Sequence, residues 1–247
     1  MSSSNLNEAS TAILKAELSS LYKIGGVAAL LQLVAILTYA VVTAVLGPKP
    51  TSATDYFAIH QSSLLAAFLR GDILLLVMIG LYLGTFPALY AALRHISPVY
   101  TSLATLFTVM AVLGCFVTES SFSLLYLGNQ YAIATEAQRL QFIAAGEAII
   151  ASDMWNGTAA YLGGILLQGS GVMISLIMLR SKDFSKVTAY SGLVANALDL
   201  TQHLLHPFAP SISAPIAMFM SLFYFIWFPM LGRDLWRLGR RSSGEET

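Results

Sequence analysis

The chain is expected to fold as an all-α bundle of six transmembrane helices, a polytopic integral membrane protein. Three observations predict this. Of 247 residues, 56% are hydrophobic and only 11% charged, whereas soluble domains carry about 25% charged residues. Mean hydropathy is +0.70. Six stretches reach the roughly 20 apolar residues needed to cross about 30 Å of hydrocarbon: 24–46, 73–93, 99–118, 158–179, 187–205 and 212–231. Their apolar runs are continuous and do not alternate, so helices are indicated over barrel strands.

A polar, Ser-rich leader, 1–20, precedes the first span. That span, 24–46, is too long for the roughly 7–15-residue core of a cleaved signal peptide. The second carries Gly80, Gly84 and Ala88 at spacing four, a small-residue seam that lets helix backbones approach; Pro87 should kink it. After the third span, Thr135 and Gln138 have capping-box spacing ahead of a semi-amphipathic helix over 136–150 in the outer segment 128–156. The fourth span aligns Gly157, Ala160, Gly164 and Gly171 on one face. The sixth contains Pro229 and ends in an aromatic run of Phe223, Tyr224, Phe225, Trp227 and Phe228, with Trp236 beyond, which suits an interfacial belt. A basic tail, 233–247, follows. The chain is read as one membrane domain, with no internal repeat that would mark an inverted-repeat transporter.

Orientation follows from loop charge. Ten of the 13 Lys and Arg residues fall in the N-terminal leader, loops 94–98 and 180–186 and the tail; only Lys49, Arg70 and Arg139 fall on the other side. The positive-inside rule then puts both termini in the cytoplasm of a multi-pass cell-membrane protein. Its surroundings are membrane lipids, and the Gly80/Gly84 or Gly164/Gly171 seams could serve a homo-oligomer as well as the fold. Thirteen acidic residues balance the 13 basic ones, so no net field recruits nucleic acid. A lone Cys115 excludes an intrachain disulfide or CxxC site. No GxSxG, GxxxxGK[ST] or GxGxxG motif occurs at a suitable turn. Asn156-Gly157-Thr158 has the form of a glycosylation sequon, read as incidental at the mouth of a span.

The fifth span is the unusual one. Asn196, Asp199, His203 and His206 are spaced three, four and three apart, which places them on one helical face. Ionisable residues inside a bilayer are costly and raise a functional question by default. If the third span continues past Glu119, and if 64–93 is one helix that submerges Arg70 and Asp72, these residues and the fifth-span face form one outer-leaflet network. The leading reading is a polar network of Arg70, Asp72, Glu119, Asn196, Asp199 and His203 in a non-enzymatic membrane protein. The network either holds the bundle together or lines a pocket for a lipid or small amphiphile. No cofactor is expected on that reading. The alternative is a zinc-dependent intramembrane hydrolase in which Asp199, His203 and His206 ligate the metal, with Glu119 as fourth ligand or general base. An ion-coupled carrier is third. Haem would need axial ligands on facing helices, and His60 and His95 lie outside the spans.

Several stretches resemble the six-span proteins of domain of unknown function 4386. They are "LYKIGGVAALLQLVAIL", "FLRGDILLLVMIGLYLGTFPALYAAL", "ATEAQRLQFIAA" and the last-span "SISAPIAMFM" with "FIWFPMLG", within 21–236. The resemblance implies a six-helix bundle in a prokaryotic cell membrane. It equates Arg70 and Asp72 with an arginine and an acid opening the second span, and Asp199 with an acid of the fifth. Ser221 departs from a glutamate frequent in that family. It implies no activity, and it does not extend to the histidines.

Overall fold

The computed structural model describes residues 3–244. Met1 and Ser2 of the expected leader, and Glu245, Glu246 and Thr247 of the tail, lie outside the described residues. Among those described there are eleven α-helices and no strand. They are α1 (Ser3–Leu46), α2 (Ala53–Ser62), α3 (Leu64–Arg70), α4 (Ile73–Gly80), α5 (Tyr82–Leu93), α6 (Pro98–Thr118), α7 (Ser121–Ile133), α8 (Glu136–Ala151), α9 (Thr158–Met178), α10 (Lys186–Leu205) and α11 (Pro210–Ser243). Five stretches of the described chain are long and apolar enough to cross a membrane: Ser10–Leu46, Ile73–Leu93, Pro98–Ile133, Thr158–Met178 and Pro210–Ser243. α10 is as long as a span, but Asn196, Asp199, Thr201, Gln202 and His203 dilute its apolar content.

The leader is helical from Ser3 and runs into the first apolar stretch without a break. Ala12, Leu14, Lys15, Ala16, Glu17 and Leu18 are all strong helix formers, so polarity alone does not end a helix there. At the far end, α11 stops at Gly244, whose φ of 74° lets its N–H reach Arg240 O and Arg241 O, a glycine cap.

The chain divides into two compact units. One comprises residues 1–33, 81–109 and 165–247. Here α1 runs antiparallel to α5: a Cβ on Gly25 would fall onto Ala88 Cβ, while Ala28 Cβ lies 3.1 Å from where a Cβ on Gly84 would sit. α1 is also antiparallel to α11, since Ser19 Oγ donates to Gly239 O at 2.8 Å while Gly26 abuts Gly232. α10 is antiparallel to α11 and to α9, as Thr188 pairs with Asp234 and Gly171 faces Asn196. Gly84 therefore fills a seam within the chain, as does Gly171. The core holds Phe86, Leu89, Leu93, Ile174, Met178, Trp227, Phe228 and Leu231. Tyr224, Trp227 and Phe228, expected in an interfacial belt, are core residues instead. Their rings pack on one another and, through Phe228, on Tyr82.

The other unit comprises 34–80 and 110–164. α2, α7 and α8 enclose a small core of Ala53, Tyr56, Phe57, Leu124 and Ile150. The Thr135–Gln138 capping box starts α8, with Gln138 Oε1 accepting from Thr135 N at 3.0 Å. The 64–93 stretch is three helices. It breaks at Gly71–Asp72 and again at Leu81, before Pro87. The third apolar run breaks at Glu119–Ser120, where Glu119 Oε1 accepts from Ser121 N at 2.7 Å and starts α7.

Candidate functional site

Both units carry buried polar clusters; in the first, Asp234 accepts from Thr188 Oγ1 and Ser185 N at 2.6 and 2.9 Å, and a second cluster surrounds Asp199. In the first unit α10 supplies Asn196 and Asp199, 1% and 5% exposed. Asp199 Oδ1 faces His203 Nδ1 at 3.0 Å, one helical turn on. Its second oxygen, Oδ2, accepts from Tyr224 Oη of α11 at 2.8 Å. Gln168 Oε1 of α9 lies 3.0 Å from the same hydroxyl, and Asn196 Oδ1 lies 3.4 Å away. A phenol has one proton, and the carboxylate is its shortest partner and the charged one, so the donation goes to Asp199. Asn196 Nδ2 donates back to Gly192 O at 2.7 Å. The cluster thus joins α10 and α11 around one carboxylate and sets Gln168 of α9 against the same phenol. The i, i+4 geometry of a helix brings His203 to Asp199, and the antiparallel packing of α10 on α11 brings Tyr224.

His203 keeps 28% of its side chain exposed against 8% for Asp199. Such a pair can orient an imidazole, hold an ion pair or pass a proton. His206 is exposed, and its Nδ1 lies 3.5 Å from Ser213 Oγ, away from the carboxylate. Glu119 belongs to the other unit, where it caps α7. Among the described residues, no group of three or more His, Cys, Asp and Glu side chains is arranged to hold a metal ion.

The second unit centres on Lys49, just after the first apolar stretch. Its Nζ donates to Asp72 Oδ2 at 2.7 Å and to Asp153 Oδ2 at 2.8 Å. Both acids are 1% exposed. Asp72 Oδ1 also accepts from Trp155 Nε1 at 2.7 Å. Asp153 Oδ1 caps its own turn, accepting from Trp155 N, Asn156 N and Asn156 Nδ2 at 2.9, 3.0 and 3.1 Å. This Asx-type turn occupies the amide of the Asn156 sequon. Asp72 thus pairs with Lys49. Arg70, expected to pair with the acids, instead places its fork on a carbonyl: Nε and Nη2 donate to Pro48 O at 3.0 and 2.8 Å. Gly47, at φ 95°, supplies the left-handed turn that turns the chain toward that guanidinium.

Of the expected network, the structure brings together Asn196, Asp199 and His203 in one unit and places Arg70, Asp72 and Glu119 in the other, each with partners of its own. Gln168, Tyr224, Lys49, Asp153 and Trp155 were not expected. A signal existed for Lys49, a lone cation in Gly47-Pro48-Lys49-Pro50 between two apolar stretches, and for Asp153, three residues before Asn156. None marked Tyr224, one aromatic among five.

No protein-family model matches the chain, and neither a curated protein nor a solved structure shows a significant match.

Proposed function

We propose that this is a non-enzymatic, multi-pass protein of the cell membrane with six spans and both termini in the cytoplasm, in which the Asp199 cluster fastens three spans together. The observation that carries the reading is that both Asp199 oxygens are engaged inside the chain, one by Tyr224 and one by His203. A satisfied buried network stabilises a unique packing, while a half-satisfied one is costly. Such a carboxylate is already committed and is poorly placed to take up a ligand.

Two features support α10 as the sixth span although it is less apolar. Asn196 and Asp199 of its polar face are buried against α9 and α11, which lowers the cost of carrying them across a membrane. The alternation of α1, α5, α9, α10 and α11 also suits an even count of crossings. The cytoplasmic orientation rests on loop charge, and membrane lipids are the expected surroundings. Likeness to the domain of unknown function 4386 proteins belongs to the same proposal and adds only topology.

The test is thermal unfolding in mild detergent. Asp199→Asn should melt several °C below the parent, and an unchanged midpoint would remove the structural reading. A second reading, an ion-coupled carrier, is favoured by the Asp199–His203 pair, which couples a buried acid to a part-exposed imidazole. Proton or cation flux into liposomes, abolished by Asp199→Asn, would establish it. A zinc-dependent hydrolase would require Asp199 to release at least one of its present partners to the ion.

A further inference from the structure

In the second unit, α2, α3 and α7 surround a pocket lined by Tyr56, His60, Leu64, Phe68, Ser121 and Leu125, among others, with an interior of about 10 Å³. Three of its polar atoms, Tyr56 Oη, His60 Nδ1 and Ser121 Oγ, are buried without a well-directed hydrogen-bond partner, and the Tyr56 and Ser121 hydroxyls are near enough to interact with each other. Tyr56 and Ser121 are each 4% exposed. Buried polar groups without partners are rare and costly. Their donor and acceptor capacities are complementary. His60 Nε2 lies 3.0 Å from Asn129 Oδ1, so the ring donates there and leaves Nδ1 as an acceptor. Tyr56 and Ser121 each carry a hydroxyl able to donate and accept. Tyr56 Oη and Ser121 Oγ lie 2.6 and 3.1 Å from where a Cβ on Gly71 would sit, so they share one corner of the fold.

A volume of roughly 10–15 Å³ is what one water-sized centre occupies, and such a site needs two to four polar partners. We propose that the pocket binds one hydroxyl oxygen, held jointly by Tyr56, His60 and Ser121. The oxygen belongs to water or to an aliphatic alcohol whose chain leaves past Leu64. Leu64 is 51% exposed and marks the mouth; Phe68 and Leu125 form the apolar wall beside it. The site shares no residue with the Asp199 cluster and stands independently of the function proposed above.

The test is a structure of the full-length protein near 2 Å resolution, determined with and without 1-octanol. A peak within about 2.7–3.2 Å of all three atoms is expected. An isolated peak in both preparations assigns water. A peak that gains a tail past Leu64 with 1-octanol assigns an alcohol. A pocket empty in both overturns the proposal. Tyr56→Phe should remove the peak while α2 stays in place; a peak that survives this change unaltered would also overturn the three-partner site.

Discussion

Tyr224 Oη and Asp199 Oδ2 lie 2.8 Å apart across 25 residues of sequence, so a phenol that carries the apolar packing of α11 also supplies the hydrogen bond for the buried acid of α10. Tyr224 stacks on Phe228, with ring centroids 5.4 Å apart. Tyr224→Phe keeps the ring and deletes only the hydroxyl. It leaves a carboxylate oxygen without its donor, at a cost of about 1–3 kcal/mol. Asp199→Asn should cost a similar amount. The double variant should fall well short of the sum, because both changes remove one interaction. Additive midpoints in detergent would show that the two residues act separately.

The same cluster depends on two glycines for its close packing. A Cβ on Gly171 would fall onto the Asn196 side chain, and one on Gly192 would fall onto Trp227 Nε1 and within 2.7 Å of Ser175 Oγ. Gly171→Ala and Gly192→Ala should each destabilise by about 1–3 kcal/mol through overpacking. Gly169→Ala, where a Cβ meets nothing within 4 Å, is the control and should be neutral or slightly stabilising, since alanine favours a helix over glycine. Equal effects at all three sites would remove the packing argument for Gly171 and Gly192.

The helical spacing of Asn196, Asp199 and His203 was legible because one helix carries all three, and period alone fixes a face. The capping box at Thr135 was legible for the same reason: its chemistry is local. Partners that arrive from elsewhere in the chain were not. Lys49 meets Asp153 across 104 residues, a pairing that only the packing of α8 on α2 decides. The aromatic run of α11 was misassigned because a lipid-facing belt and a buried aromatic core share one composition. The limits of the second and third spans at Ile73 and Thr118 were legible, whereas the break at Leu81 inside the second span was not, because hydropathy stays high across it.

Topology can be tested directly. Reporter fusions after Lys182 and after Ser243 should both report the cytoplasm, and fusions in α2 and α8 the opposite side. That pattern requires α10 to cross. If the 180–186 loop and the C-terminus report opposite sides, α10 does not span and the six-span proposal fails.

Metal content separates the remaining functional readings. Protein purified in mild detergent without added metal should carry far less than one zinc or iron per chain and show no Soret band. The reason is that both Asp199 oxygens are taken, while His206 turns toward Ser213. Near-stoichiometric zinc that disappears in His203→Ala would instead establish the metal-dependent alternative.

Lys49 offers the sharpest energetic test. Its ammonium is the cation between Asp72 and Asp153, each 1% exposed. Lys49→Met removes the cation and leaves two buried acids facing one another, and breaking a buried pair from one side costs about 3–5 kcal/mol. Adding Asp72→Asn and Asp153→Asn to Lys49→Met should recover much of the loss, because no uncompensated charge is then left. Thermal unfolding of the three proteins checks both statements. If Lys49→Met melts with the parent, the bridge contributes nothing and the corner is held by Trp155 and the Asp153 turn.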